Sequence, residues 1–278
     1  MITRRNFLIG AGATGGVAVA GGGAVAVTHQ QGLRRFLHRH GVLGGPDKPI
    51  PDAGATVRYD VIASKAMGGI VGYGVSVPTG EVDAVLVCLH GRGGTHRDPF
   101  LDIGIHQFVA AAGLRWVVAA VDGAESFWHR RSDGTDAGRL VVDELLPLVS
   151  PHDRPVPRVI IGWSMGGYGA LLLGEQHPEV FTGVAASGPS IWRTLGEATA
   201  GAFDDADDFA RNDVLALAPA LANKVRVDCG DDDPFADVSR EFLRRVPGGS
   251  GGISPGYHES PTWRSVAPAQ LDFLRTTL

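Results

Sequence analysis

Residues 158–174 read RVIIGWSMGGYGALLLG. The run Val159-Ile160-Ile161 is short, β-branched and apolar, the composition of a strand buried on both faces. From Met165 onward the residues suit a buried helix, and Ser164 sits at the junction. So sharp a turn forces the serine into a strained backbone conformation. Gly162 and Gly166, which lack Cβ, leave room for the strand and helix to cross. The spacing Gly-x-Ser-x-Gly means little by itself in a chain with 40 glycines. Its place between a strand and a helix makes Ser164 a candidate nucleophile, with Oγ raised above a sheet and the Met165 N–H facing a developing oxyanion. The plain alternative is a helix-capping serine in a glycine-rich turn.

Outward from this stretch, short apolar runs alternate with helical patterns. Residues 56–64, TVRYDVIAS, and 70–77, IVGYGVSV, alternate like paired antiparallel strands, and 83–90, DAVLVCLH, is a continuous buried strand. Helical spacing follows over 100–113, a strand over 114–123, and a helix over 137–149. After the elbow come a strand at 181–187, a polar insertion from about Pro189 to Asn223, and a strand at 223–230. Helices at 234–246 and 263–278 complete the pattern. Strand–helix alternation of this length predicts an α/β fold, a mostly parallel sheet with helices on both faces.

The N-terminus predicts a separate role. Arg4 and Arg5 precede some twenty weakly apolar residues and the small-residue triplet Ala24-Val25-Ala26, the pattern of a twin-arginine export signal over residues 1–27. A transmembrane anchor is the alternative. Residues 28–53 begin basic, in a form that could lie on an anionic membrane surface, then turn rich in Pro and Gly as linkers do. The folded domain is expected over 54–278, outside the cytoplasmic membrane, secreted or tethered to the cell envelope. A net charge of −5 argues against a nucleic-acid partner, which requires a basic face.

A serine nucleophile needs a base and an acid, and an elbow of this kind places them in the order Ser, acid, His. Of the ten histidines, only His258, in SPGYHESPTW, follows the last predicted strand. The acid must follow a strand between Ser164 and His258, which leaves Asp231, Asp232 and Asp233 in CGDDDPF. Asp233 before Pro234 also suits a helix cap, and its neighbours suit a turn. Three consecutive side chains do not converge on one ion, so neither a metal nor a cofactor is expected. A second oxyanion donor is expected from LHGRGG, residues 89–94, with the Arg92 N–H favoured by position over those of Gly91 and Gly93. Phe127, Trp128 and His129, in the loop ESFWHRRSDGTD (125–136), are candidate substrate contacts because loops at the carboxyl ends of the strands form the site in such sheets. Packing is their equal alternative.

Four motifs, LHGRGG, GWSMGGYGA, CGDDDPF and GYHESPTW, together resemble the α/β-hydrolase esterases of the esterase D type, which include S-formylglutathione hydrolases, feruloyl esterases and mycobacterial mycolyltransferases. The resemblance covers about residues 56–278. It implies an α/β-hydrolase fold of about eight strands, the first two antiparallel, with a short cap insertion. It also implies Asp233 as the acid, Arg92 as an oxyanion donor, and Gly256, His258 and Trp263 as the base segment. Mycolyltransferases carry glutamate where this chain has Asp233, which weakens the transfer of their acyl-exchange activity. In that fold two strands separate Cys88 from Cys229, roughly 14 Å at ~4.8 Å per strand, so two free buried thiols are expected.

The resulting expectation is a serine esterase acting on a small-molecule, lipid or sugar ester through an acyl-enzyme on Ser164. An acyltransferase that passes the acyl group to a sugar or alcohol is the alternative with the same chemistry. A non-catalytic envelope protein that keeps the fold is the alternative of a different class.

Overall fold

The computed structural model describes residues 48–278 together with Leu33 and Leu37. The expected export signal and most of the linker lie outside the described residues. Where the description begins, the chain is fastened to the domain. Ala53 and Ala55 N–H donate to Gln107 Oε1 at 3.0 and 3.3 Å, and Gln107 Nε2 donates to Ala55 O at 2.9 Å.

Eight strands form one sheet: β1 (Arg58–Ser64), β2 (Gly69–Ser76), β3 (Ala84–Leu89), β4 (Trp116–Val121), β5 (Arg158–Trp163), β6 (Gly183–Ser187), β7 (Val225–Gly230) and β8 (Ser250–Ser254). Their order is β1-β2-β4-β3-β5-β6-β7-β8. Only β2 runs against its neighbours, pairing antiparallel with β1 and β4, and the remaining pairs are parallel. Strands β3 and β4 are buried along their whole length, which is why their sequences read as unbroken apolar runs. Pleating sorts their side chains between two cores: Val85, Val87 and Leu89 enter one, and Ala84, Leu86 and Cys88 the other.

Helices cover both faces. On one side lie α1 (Asp98–Leu101), α2 (Ile105–Ala111) and the C-terminal α8 (Ser260–Arg275). On the other lie α3 (137–149), the elbow helix α4 (Met165–Gln176) and α7 (Ala236–Arg245). Helix α3 passes through a π segment at Leu140–Leu145. Pro147 has no N–H to give an i−4 carbonyl, and the preceding Leu146 N–H donates five residues back, to Val141 O. The single helix expected over 100–113 is two, because the chain breaks at Gly104, whose φ is 71°. The insertion between β6 and β7 forms α5 (Ala206–Arg211) and α6 (Val214–Leu217), with the side chains of Asp205 and Asp213 capping their first turns.

The glycine-rich β8 pairs in parallel with β7 from Arg226↔Ser250 to Gly230↔Ser254. Gly251 there has φ 95°, and a Cβ on it would stand 2.1 Å from Val227 O. The close approach requires glycine, and the main-chain ladder holds the strand without help from side chains. Two strands, β5 and β6, separate Cys88 on β3 from Cys229 on β7, and both cysteines are free and buried.

Candidate active site

Ser164 is the one residue between the end of β5 and the start of α4, and it has φ 56° and ψ −117°. The elbow is closed so tightly that a Cβ at Gly162 would lie 2.0 Å from Gly166 O, and one at Gly166 would lie 2.0 Å from Leu89 O. Any other residue at either position would push the strand and helix apart. The Ser164 side chain makes no capping bond to α4, so it is not the helix-capping serine of the plain reading. Its Oγ instead lies 2.9 Å from His258 Nε2 and 3.2 Å from Ser190 Oγ.

His258 is delivered by the loop after β8, and that loop is laced to the three aspartates after β7. Asp231 N–H donates to Ser254 O at 2.8 Å and Asp232 N–H to Gly256 O at 3.0 Å. Gly256 N–H donates to Asp231 Oδ1 at 3.0 Å. Tyr257 N–H, next along, donates to Thr262 Oγ1 at 2.9 Å at the start of α8. The imidazole stands edge-on to Trp263, with ring centroids 5.2 Å apart, and tilted against Phe235 at 5.5 Å.

Asp233 is 4% exposed and divides its two oxygens. Oδ2 receives His258 Nδ1 at 2.7 Å, and Oδ1 receives the Phe235 N–H at 2.9 Å just before α7. The Oδ1 bond closes a turn ahead of α7, whose N-cap is Phe235 and which has no side-chain cap, so the helix-cap alternative for Asp233 does not hold. A carboxylate facing Nδ1 requires a proton there, which leaves Nε2 of the neutral ring bare and directed at Ser164. Gly188 passes so close that a Cβ on it would lie 2.6 Å from Asp233 Oδ2.

The loop after β3 lies against the serine, since a Cβ at Gly91 would come 3.5 Å from Ser164 Cβ. His90, buried beneath the loop, sets its orientation. His90 Nε2 accepts the Gly123 N–H at 3.0 Å, so the ring proton is on Nδ1, which donates to Gly91 O at 2.8 Å. Gly94 N–H donates to the same carbonyl at 3.1 Å. In a planar trans peptide the N–H points opposite to the C=O, so these two bonds on Gly91 O also fix the direction of the Arg92 N–H. The Arg92 side chain turns away to an exposed pair with Glu125, Nε to Oε2 at 2.9 Å. Met165 opens α4 with its side chain fully buried, and its N–H is a first-turn donor without an intrahelical acceptor. A cleft of about 290 Å³ joins Ser164 and His258 to Arg92, Asp98, Ile103 and Trp263.

Phe127, Trp128 and His129, the expected substrate contacts, do not line that cleft. They are 2%, 0% and 3% exposed. Left-handed backbone at Ala124, Phe127 and Trp128 coils the loop inward, and Trp128 fills a notch against Gly123 and Gly169, where a Cβ on Gly169 would meet its Cδ1 at 2.3 Å. Phe127 packs on Tyr168 and Trp192. His129 ties the loop to the insertion: Nε2 lies 3.1 Å from Ala202 O, Nδ1 lies 3.0 Å from Arg130 O, and the ring stacks on Phe203. Trp128 and His129 border a separate cavity of about 740 Å³ that does not include Ser164. No motif singles out Ser190 or Gly188, and His90 stands in the sequence only as one of the histidines outside the base position. Their one sequence signal is position, immediately after β3 or β6 on either side of the elbow strand.

The sheet order, the crossing at Ser164 and the helices on both faces define an α/β-hydrolase fold with an elbow serine at its switch point. Solved structures with this fold superpose on it. A ferulic acid esterase matches at TM-score 0.68 with 22% identity, covering 81% of this chain and 99% of that one. An S-formylglutathione hydrolase from Agrobacterium tumefaciens matches at TM-score 0.69 with 18% identity, covering 85% and 99%. Residues 120–246 match the Esterase family model, described as "Putative esterase". That stretch includes Ser164 and Asp233 and stops before His258. The chain is 29% identical over 191 residues to "Putative esterase NocK" of Nocardia uniformis subsp. tsuyamanensis, across 62% of this chain and 54% of that protein. The match thus spans about half of that relative's length.

Proposed function

We propose that the protein is a carboxylic ester hydrolase that works through an acyl-enzyme on Ser164. The observation that carries this reading is the unbroken relay from Asp233 through His258 to Ser164 at 2.7 and 2.9 Å, seated on a strained elbow. The similarity to esterases supports it. His258 Nε2 takes the Ser164 proton as Oγ attacks the ester carbonyl, and Asp233 holds the ring tautomer and stabilises the imidazolium. The Arg92 and Met165 N–H groups serve the oxyanion. His258 then protonates the departing alcohol, and water repeats the sequence to release the acid.

A cleft of about 290 Å³ is at the small end of ligand sites, which favours short acyl groups. The twin-arginine pattern at the N-terminus supports action outside the cytoplasmic membrane. The test is labelling of Ser164 by a fluorophosphonate, together with hydrolysis of p-nitrophenyl esters of increasing chain length. Activity is expected to be highest for acetate to butyrate and to fall on the order of 10⁶-fold in Ser164→Ala. Near wild-type hydrolysis by that variant would refute the reading.

A further inference from the structure

Ser164 has a second hydroxyl within reach. Ser190 follows Gly188 and Pro189 at the carboxyl end of β6, is 5% exposed, and places Oγ 3.2 Å from Ser164 Oγ. The contact is built in by the main chain: Ser190 N–H donates to Ser164 O at 3.1 Å, and Ser164 N–H donates to Ser187 O at 3.0 Å. These two bonds hold the 187–190 segment on the nucleophile.

The direction of the hydroxyl contact follows from counting protons. Asp233 Oδ2 at 2.7 Å requires the proton of His258 on Nδ1, so Nε2 is bare and takes the single hydroxyl proton of Ser164 at 2.9 Å. Ser164 has no second proton to offer, and Ser190 is the donor. In an acyl-enzyme the Ser164 oxygen carries no proton at all, so Ser190 remains the donor there as well.

Given the esterase reading above, we propose that Ser190 is a second hydrogen-bond donor to the nucleophile oxygen and acts when that oxygen bonds to, or leaves, the acyl carbon. During deacylation a water proton passes to His258 as the water oxygen bonds to the acyl carbon. As the tetrahedral intermediate collapses, the bond from that carbon to Ser164 Oγ breaks and its electron pair goes to Oγ, which recovers a proton from His258 Nε2. At 3.2 Å the Ser190 contact is longer than the usual 2.7–2.8 Å for O–H···O, so it is weak on a neutral oxygen and tightens as negative charge builds. An interaction that strengthens only in the transition state raises the rate without raising affinity. The same carbon–Oγ bond forms when Ser164 attacks the substrate, and Oγ carries negative charge there as its proton passes to His258, so Ser190 assists acylation as well as deacylation.

The experiment is pre-steady-state hydrolysis of p-nitrophenyl acetate by the full chain, comparing wild type, Ser190→Ala and Ser190→Thr, with active sites counted by fluorophosphonate titration. Ser190→Ala is expected to titrate fully, while both its acylation and its deacylation fall about tenfold. Ser190→Thr, which keeps the hydroxyl, restores both steps. Unchanged acylation and deacylation in Ser190→Ala, or no recovery in Ser190→Thr, overturns the proposal. A wild type that does not titrate refutes the esterase reading itself, and the role of Ser190 falls with it.

Discussion

Asp233→Asn perturbs the site at the point where the geometry leaves least freedom. In the native loop each carboxylate oxygen has its own donor, Phe235 N–H on Oδ1 at 2.9 Å and His258 Nδ1 on Oδ2 at 2.7 Å. Asparagine offers one oxygen and one NH₂. The Phe235 N–H can only donate, so the amide oxygen stays with it and the NH₂ group turns to His258. The ring responds by moving its proton to Nε2, where it meets Ser164, and the base is lost. A wrong tautomer of this kind costs about 10⁴ in kcat, or about 5.4 kcal/mol of transition-state stabilisation, with KM nearly unchanged. Steady-state kinetics on p-nitrophenyl acetate would be measured beside a thermal melt, with Asp231→Asn as the paired control. Asp231 Oδ1 receives the Gly256 N–H, a bond that an asparagine oxygen keeps, so that variant should lose less than about fivefold. Comparable losses in the two variants, or more than about a tenth of wild-type kcat in Asp233→Asn, would refute the assignment.

Three further outcomes are expected. Burial, with Asp213 adding to it, pushes the Glu175 carboxyl from 4.5 up to about 10, so the folded chain holds a proton that the unfolded chain releases above pH ~4.5. The contribution of this group is therefore full below that pH and is lost as pH rises toward 10, at up to about 1.36 kcal/mol per pH unit. Glu175→Gln should gain several degrees of Tm over wild type at pH 8 relative to pH 5, and an equal difference at both would contradict this. Trp128→Ala should cost about 3–5 kcal/mol of stability in a denaturant melt and leave KM for a short ester unchanged, whereas a KM effect without destabilisation would restore the expected substrate contact. Burial raises the thiol pKa of both Cys88 and Cys229, so a thiol reagent should find two reactive groups in denaturant and none in the native protein.

The elements that could be read from the sequence are those whose signal is local. A strand, a turn and a helix follow one another within 158–174, so the elbow declares itself. The candidate acid and base could be ordered along the chain because Asp233 follows the strand at 223–230 and His258 lies beyond it. The 125–136 loop carries no such signal. Whether Phe127 and Trp128 face solvent or core is set by left-handed backbone at Ala124, Phe127 and Trp128 and by the notch at Gly169 on α4, some forty residues away in sequence. Ser190 is similarly invisible, because one serine after β6 matters only once β6 is paired beside β5 in register, Trp163↔Ser187. The break at Gly104 was legible as a glycine and was overridden by the helical spacing on either side of it.

The three consecutive aspartates explain how the glycine-rich β8 positions the proposed base, His258. Strands β5, β6, β7 and β8 are neighbours, so their carboxyl ends line up at about 4.8 Å per strand and gather Ser164, Ser190, Asp233 and His258 from distant parts of the chain. Sheet pairing alone would leave the loop beyond β8 free at its tip. The Asp231 and Asp232 main chains, with Asp231 Oδ1, continue the β7–β8 ladder outward to Ser254 and Gly256, two residues short of His258. Asp233 then takes the imidazole itself. Adjacent negative charge is tolerated because the carboxylates have separate partners: Asp231 meets a backbone N–H, and Asp233 meets both a backbone N–H and a ring N–H. The glycines of β8 are compatible with a rigid base because the main-chain ladder and this lacing, rather than β8 side chains, supply the restraint. Damage to the lacing should therefore displace His258 and slow catalysis before it unfolds the domain.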